Sequence, residues 1–80
     1  MTVIGKIWSL LLTGNSYSNY ELNRLAKTSD ARTTISHIRK KLADKYGDKV
    51  RIADERLPLI GRNGTYKVYW LQFNDEKPTL

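Results

Sequence analysis

Cysteine is absent from this chain of 80 residues, and histidine occurs once. The absence of cysteine excludes disulfides, thiolate zinc sites and cysteine nucleophiles, and it favours a cytoplasmic location, where disulfides are rare. With one histidine and no cysteine, a metal site built from nitrogen or sulfur ligands is nearly excluded. The sequence therefore predicts no metal site and no cofactor.

Long hydrophobic runs are also missing. The longest apolar stretch, residues 7–12, reads Ile-Trp-Ser-Leu-Leu-Leu, whereas a helix needs roughly 20 apolar residues to span a bilayer. We therefore expect no membrane partner. Eighty residues suit one small domain with a compact core and little room for a large internal pocket. We expect that domain to cover residues 1–73 and to be followed by a loose polar tail at 74–80.

Acidic residues are few: 14 lysines and arginines stand against 8 aspartates and glutamates, which gives a formal net charge of +6. Small basic domains commonly bind nucleic acids or anionic surfaces. Asp54 and Glu55 are adjacent, and neighbours on a strand point to opposite faces, so their carboxylates do not converge on one substrate. Their expected role is to mark a turn or to discourage edge pairing. We predict a binding protein rather than an enzyme.

Two helices are predicted before residue 28. The first runs from about Thr2 to Thr13, where apolar residues recur at helical spacing. The second runs from Asn19 to about Lys27 and opens with a capping box, because Ser18 stands three residues before Glu21. The residues expected to point inward are Ile4, Ile7, Trp8, Leu11, Leu12, Leu22, Leu25 and Ala26.

The third helical pattern is the clearest. Residues 28–30, Thr-Ser-Asp, favour a turn and an N-cap, and Gly47 ends the helix that follows. A short helix, a turn and a longer amphipathic helix are typical of a helix-turn-helix. One narrow apolar stripe runs along the third helix and consists of Ala31, Ile35, Ile38, Leu42 and Tyr46.

A β-hairpin is predicted after the helices. From Val50 onwards, apolar residues recur at a spacing closer to two residues, as in a strand. Residues 66–73 are rich in aromatic and branched side chains, which favour strands. Trp70 is expected in the core. Asn63-Gly64 is a strong hairpin signal, so we expect the tip near residues 62–65. Pro58 cannot donate a ladder hydrogen bond, which predicts an edge strand or a break there.

The outward side of the third helix is polar and basic. Its first turns carry small or hydrogen-bonding side chains, which suits entry into the major groove, where arginine can bind guanine O6 and N7 together. The lysines further along suit phosphates. An ordinary solvated helix face is the alternative interpretation. The candidate contact residues are Arg32, Thr33, Ser36, His37, Arg39, Lys40 and Lys41.

This order of elements resembles the winged helix-turn-helix family, in particular its small phage-type members. Residues 31–42 (Ala-Arg-Thr-Thr-Ile-Ser-His-Ile-Arg-Lys-Lys-Leu) look like a recognition helix. Residues 64–71 (Gly-Thr-Tyr-Lys-Val-Tyr-Trp-Leu) are similar to the returning strand of the wing. The resemblance spans roughly residues 4–73 and rests on pattern rather than on a signature motif.

The resemblance implies an α+β fold with a three-helix helix-turn-helix core and a C-terminal β-hairpin wing. It implies sequence-specific binding to double-stranded DNA by a transcriptional or recombination regulator in a bacterial or phage-infected cell. The third helix would occupy the major groove, and the wing would lie on the backbone or in the minor groove. The implied wing contacts are Arg62, Asn63 and Lys67.

The segment Leu57-Pro58-Leu59-Ile60 is unusually apolar for a wing. It motivates an alternative hypothesis, a protein-interaction module on the same fold that modulates a host enzyme through Leu57, Leu59 and Ile60. On DNA, one copy would bury only about 600–1,000 Å². A homodimer or a cooperative array on repeated half-sites would enlarge that interface.

Overall fold

The computed structural model describes residues 2–74 and 76–80, over which the chain forms three helices and a three-stranded antiparallel sheet. The predicted α+β class is confirmed, and so are the three helices and the hairpin. None of the helices in the described residues is long and apolar enough to cross a bilayer. In chain order the elements are α1 Val3–Leu11, β1 Tyr17–Ser18, α2 Asn19–Leu25, α3 Ala31–Tyr46, β2 Arg51–Pro58 and β3 Thr65–Gln72.

The short strand β1 was not predicted. It pairs with β3, Tyr17 opposite Tyr69 and Ser18 opposite Val68, so that β3 becomes the central strand of the sheet. Where β1 ends, the side-chain oxygen of Asn19 accepts a hydrogen bond from the Lys67 amide at 3.4 Å. Two residues are too short a segment to show a period of two, which is why the sequence pattern did not reveal this strand.

Local hydrogen bonds set both ends of α2. The predicted capping box is present: Glu21 N–H donates to Ser18 Oγ, and Ser18 N–H donates to the Glu21 carboxylate, both at 3.0 Å. The helix ends at Leu25, two residues earlier than predicted, because Lys27 adopts a left-handed conformation with φ of 53°. The Thr28 amide then donates to the Asn23 carbonyl at 2.9 Å and closes the helix end.

The core lies where α1, α2 and α3 meet one face of the sheet. The predicted stripe of α3 is confirmed for Ala31, Ile35, Ile38 and Leu42, which are buried, whereas Tyr46 at its end is half-buried and packs against the core. The prediction for Leu25 is wrong: its side chain is 45% exposed, because the short α2 buries only a narrow stripe. The largest fully buried side chains are Ile7, Leu11, Leu22, Ile35, Ile38 and Leu42.

The register of the β2–β3 hairpin follows from burial. Ile52 opposes Leu71, and both are buried with Tyr69 against the helices. Adjacent strand residues alternate between faces, so Trp70 lies on the opposite face, half-buried, and the expectation that it belongs to the core is wrong. A slip of one residue would reverse this arrangement, which is why the register is strongly specified.

The hairpin tip lies two residues earlier than predicted. Leu59 N–H donates to the Gly64 carbonyl at 3.1 Å, which leaves residues 60–63 as the loop. Gly64 has φ of 111°, and a Cβ there would lie 3.3 Å from Leu59 Cδ1, so glycine is required to close the loop. The burial of Ile52 and Leu71 sets this register and overrides the local preference of Asn63-Gly64 for a two-residue turn.

Strand β2 forms one edge of the sheet, as Pro58 indicated. Hydrogen-bonded pairs alternate along an antiparallel ladder. Counting from the bonded pair Leu59 and Gly64, the backbone groups of Ile52, Asp54 and Pro58 point away from β3. The missing N–H of Pro58 therefore removes no ladder hydrogen bond.

Residues 76–80 are not the loose tail that we expected. Pro78 is buried, and the Thr79 amide donates to the Tyr46 hydroxyl at 2.9 Å. Lys45 Nζ donates to the Thr79 hydroxyl at 2.8 Å. The polar residues of this segment hold it against the C-terminal end of α3, and a hydropathy pattern does not report such side-chain hydrogen bonds.

Replacement of Ser18 by alanine tests the capping box. We expect the free energy of unfolding to fall by about 1 kcal/mol, because the Glu21 amide loses its acceptor. Urea denaturation followed by circular dichroism measures the change. Ser16→Ala, two residues earlier at an exposed position, serves as the control and should stay within about 0.5 kcal/mol of the unmodified chain. Equal losses in both variants would contradict the capping role.

Candidate nucleic-acid interface

The outward face of α3 is solvent-exposed over its first eleven residues, opposite the stripe buried in the core. Of the seven side chains predicted there, Arg39 alone is half-buried. The face combines three cations with an imidazole and with two hydroxyl groups, those of Thr33 and Ser36, which donate to Asp30 and to the Arg32 carbonyl and so offer an acceptor oxygen to a ligand. The exposed members are Arg32, Thr33, Ser36, His37, Lys40 and Lys41.

The start of α3 is held by two side-chain caps. Asp30 accepts from the Thr33 amide at 3.4 Å and from the Thr33 hydroxyl at 2.5 Å. The hydrogen bond from the Thr33 side chain lowers the pKa of Asp30 below its usual value. Asn23, on α2, accepts from the Ala31 amide at 2.7 Å. The geometry of α2 relative to α3 is thereby fixed, and the Thr33 hydroxyl already donates within the chain.

Arg39 points to the sheet rather than to solvent. Its Nη2 donates to Asp54 Oδ2 at 2.6 Å and to the Ile52 carbonyl at 2.8 Å, and Nε donates to the same carbonyl at 3.2 Å. The guanidinium also lies 5.7 Å from the centroid of the Tyr69 ring. Arg39 therefore ties α3 to the free edge of β2. This role differs from the predicted contact with DNA, because Nε and Nη2 of Arg39 donate inside the chain.

The pKa values of the two side chains that Arg39 contacts are shifted in opposite directions, for different reasons. The hydrogen bond from Arg39 lowers the pKa of Asp54, and burial raises the pKa of the Tyr69 hydroxyl. Asp54 and Glu55 lie inside β2, so the suggestion that they mark a turn is wrong. Asp54 is instead the acidic partner that holds Arg39 in place.

A cleft of about 540 Å³ opens between α2, the start of α3 and the hairpin. Arg56 on β2 opposes Lys67 on β3, on the same sheet face as the buried Tyr69, and Arg32 reaches the cleft from α3. Asp30 is the one acidic residue among the described residues that line the cleft, so the three cations outnumber it. The lining residues are Asn19, Tyr20, Asn23, Ser29, Asp30, Ala31, Arg32, Arg56, Thr65, Tyr66 and Lys67.

The cleft unites only part of the predicted site. Arg32 and Lys67 line it, whereas Arg62 and Asn63 are exposed in the hairpin loop. Arg56 was missed by the sequence reasoning. Arg56 follows Ile52 by four residues, so the sequence alone places both side chains on the same face of a strand. The position of Arg56 opposite Lys67 follows only from the register of the hairpin.

The side chains that line the cleft are mainly cationic and polar. Within residues 2–74 and 76–80, no three carboxylate or imidazole groups are grouped so that they could hold a metal ion. The cleft presents two guanidinium groups and one ammonium group, from Arg32, Arg56 and Lys67. Guanidinium groups form paired hydrogen bonds with phosphate oxygens, and ammonium groups bind phosphate as point charges.

Comparisons with known proteins return nothing similar: no protein-family model, no curated protein and no solved structure matches the chain.

Replacement of Asp54 by asparagine tests the link between Arg39 and the edge strand. A lowered pKa in the folded chain means that the carboxylate contributes stability above its unfolded pKa, near 3.9, and loses it as the pH falls through the folded value. We expect Asp54→Asn to lose at most about 1 kcal/mol at neutral pH and to depend less steeply on pH below about pH 4.

Urea denaturation between neutral and acidic pH measures this difference. Glu55→Gln is the matched control, because it removes a charge from the adjacent residue without touching Arg39. If the two variants showed the same pH profile, the ion pair would have no role in stability.

Proposed function

We propose that this chain is a sequence-specific double-stranded DNA-binding domain of the winged helix-turn-helix class, acting as a transcriptional or recombination regulator. In this assignment α2 and α3 form the helix-turn-helix, α3 is the recognition helix, and the β2–β3 hairpin is the wing. The observation that carries the proposal is the cationic cleft between α3 and the hairpin, continuous through Arg32 with the exposed face of α3.

The exposed face of α3 suits the major groove. That groove is about 12 Å wide and admits one helix, and the opposite stripe of α3 is already buried in the core. Arg32 stands in the first turn, where it can donate to guanine O6 and N7. Ser36 and His37 follow on the same exposed face and are small enough or polar enough to contact base edges. These contacts would supply sequence preference.

Phosphate contacts are the role proposed for the other cations. Arg56 and Lys67 oppose each other on the wing and border the cleft with Arg32. A DNA strand that flanks the groove occupied by α3 would pass between helix and wing, where its phosphates would meet Arg56 and Lys67. Lys40 and Lys41 extend the charge along α3. Arg39 is left out of this set, because Asp54 and Ile52 hold it.

A protein-interaction module is the second candidate, and the outer face of the sheet favours it. Leu57, Tyr66, Val68 and Trp70 lie on the face turned away from the core and are half-buried rather than covered by the helices. Such a face suits a protein partner better than DNA, because it is mostly apolar and its charged residues are Arg51 at one end and the acidic Glu55 opposite Val68.

The proposed regulator would act in the cytoplasm of a bacterial or phage-infected cell. Two copies bound to adjacent half-sites would double a modest single-domain interface. The DNA sequence preference is measured by selecting duplexes from a random pool and footprinting the selected sites. Binding through six or so phosphates should weaken by about a thousandfold between 50 and 200 mM salt.

Arg32 and Lys40 should behave differently on the selected duplex. Arg32→Ala should cost about 1–3 kcal/mol there and much less on a scrambled duplex, because a base contact is lost. Lys40→Ala should weaken binding to both duplexes by the same factor, because phosphates carry no sequence. Fluorescence anisotropy titrations measure both. Equal losses on the two duplexes for Arg32→Ala would refute base recognition by this residue.

Arg56 and Arg51 form a matched pair on β2, with the same charge on opposite faces of the sheet. Arg56→Ala should lower the slope of log binding constant against log salt by about one, because one phosphate contact is lost. Arg51→Ala, whose side chain donates to Gln72 on the outer face, should leave the slope unchanged. If only Arg51→Ala altered the slope, the DNA would lie on the outer face of the sheet, which would contradict the proposal.

A further inference from the structure

The most exposed large apolar side chain among the described residues is Ile60, at 99%. It stands in the hairpin loop that Leu59 and Gly64 close, next to Gly61, whose φ of 78° turns the chain sharply. Neither the core nor the cleft includes Ile60. An isoleucine held fully in water at the end of a hairpin gains no packing within the domain, so its apolar surface is available for a contact outside the chain.

The position of Ile60 relates it to the cationic cleft. It follows Arg56 by four residues along the wing, which places it at most about 13 Å beyond the Arg56–Lys67 pair at 3.3 Å per strand residue. Arg62 and Asn63 are exposed in the same loop. An apolar tip with a cation and an amide therefore projects past the side chains assigned to phosphates.

We propose that Ile60 is an apolar wedge that enters the minor groove beside the α3 site and kinks the DNA, with Arg62 and Asn63 contacting the groove. The proposal rests on the DNA-binding function proposed above. Apolar side chains inserted between base steps unstack them and bend the duplex. A wedge of this kind needs one projecting side chain, as here, whereas a specific protein interface needs about 800 Å² from each partner.

The wedge would also add sequence preference without a base-specific hydrogen bond. Pyrimidine–purine steps such as TA and CA unstack most easily. Selected duplexes should therefore be enriched in such a step at one fixed distance from the bases protected by α3. Arginine and asparagine in the minor groove would distinguish A·T from G·C pairs but not the orientation of a pair.

The experiment measures binding and bending on one selected duplex that carries a fluorophore at each end. The unmodified chain should bend the duplex by about 20–90°, which energy transfer reports as a shorter end-to-end distance. Ile60→Gln should lose most of the bend and still bind the duplex through α3. Ile60→Leu is the matched control and should keep the bend, since it remains apolar and of equal size. Circular dichroism confirms that the variants are folded, as expected for a side chain without internal contacts.

Four results would overturn the wedge. If the unmodified chain bound the duplex without bending it, Ile60 would not be a wedge. The same would follow if Ile60→Gln left the bend unchanged. The proposed DNA-binding function would stand in both cases. Sedimentation equilibrium measures self-association of the chain. If Ile60→Gln abolished self-association and left the bend unchanged, the hairpin loop would be a contact between copies of the chain. Failure to select any duplex would refute the proposed function, and the wedge with it.

Discussion

The orientation of the whole candidate interface depends on the burial of one narrow stripe of α3. Ile35, Ile38 and Leu42 are almost completely buried, and each contributes about 1.5–3 kcal/mol through removal of apolar surface from water. Because side chains follow one another at 100° per residue along a helix, burial of this stripe leaves only one direction for Arg32, Ser36 and His37. The core of the domain therefore orients the side chains that we propose to contact DNA, and rotation of α3 would expose the stripe.

The hairpin is oriented against α3 by a second, polar link. Arg39 donates to the Ile52 carbonyl and to Asp54 on β2. The same strand carries Arg56 further along, on the same face as Ile52 and Asp54. Anchoring β2 to α3 thus positions Arg56 and its neighbour Lys67 beside the cleft. Substitutions at Arg39 would disturb the interface by moving the hairpin, although Arg39 itself is held inside the chain.

Much of the fold could be predicted from the sequence, because local physics decides it. The capping box of Ser18 and Glu21 and the stripe of α3 depend on residues three or four apart. The strand β1, the position of the hairpin loop and the pairing of Arg56 with Lys67 depend on contacts between distant residues. Arg39 illustrates this limit for the site: its helical position suits an outward cation, and only the approach of Asp54 and Ile52 turns it inward. The docking of Thr79 on Tyr46 joins residues 33 apart and carries no hydropathy signal.

The free edge of β2 bears on whether copies of this chain pair edge to edge at high local concentration. Exposed edges invite strands of other molecules to add to a sheet and to begin aggregation. Here Pro58 has no N–H to offer, and Arg39 already occupies the carbonyl of Ile52. Between them the strand carries three consecutive charged residues, Asp54, Glu55 and Arg56. Copies that bound next to one another on one DNA molecule would therefore not pair edge to edge through β2. Any cooperativity between them would have to arise from side-chain contacts or from the conformation of the DNA.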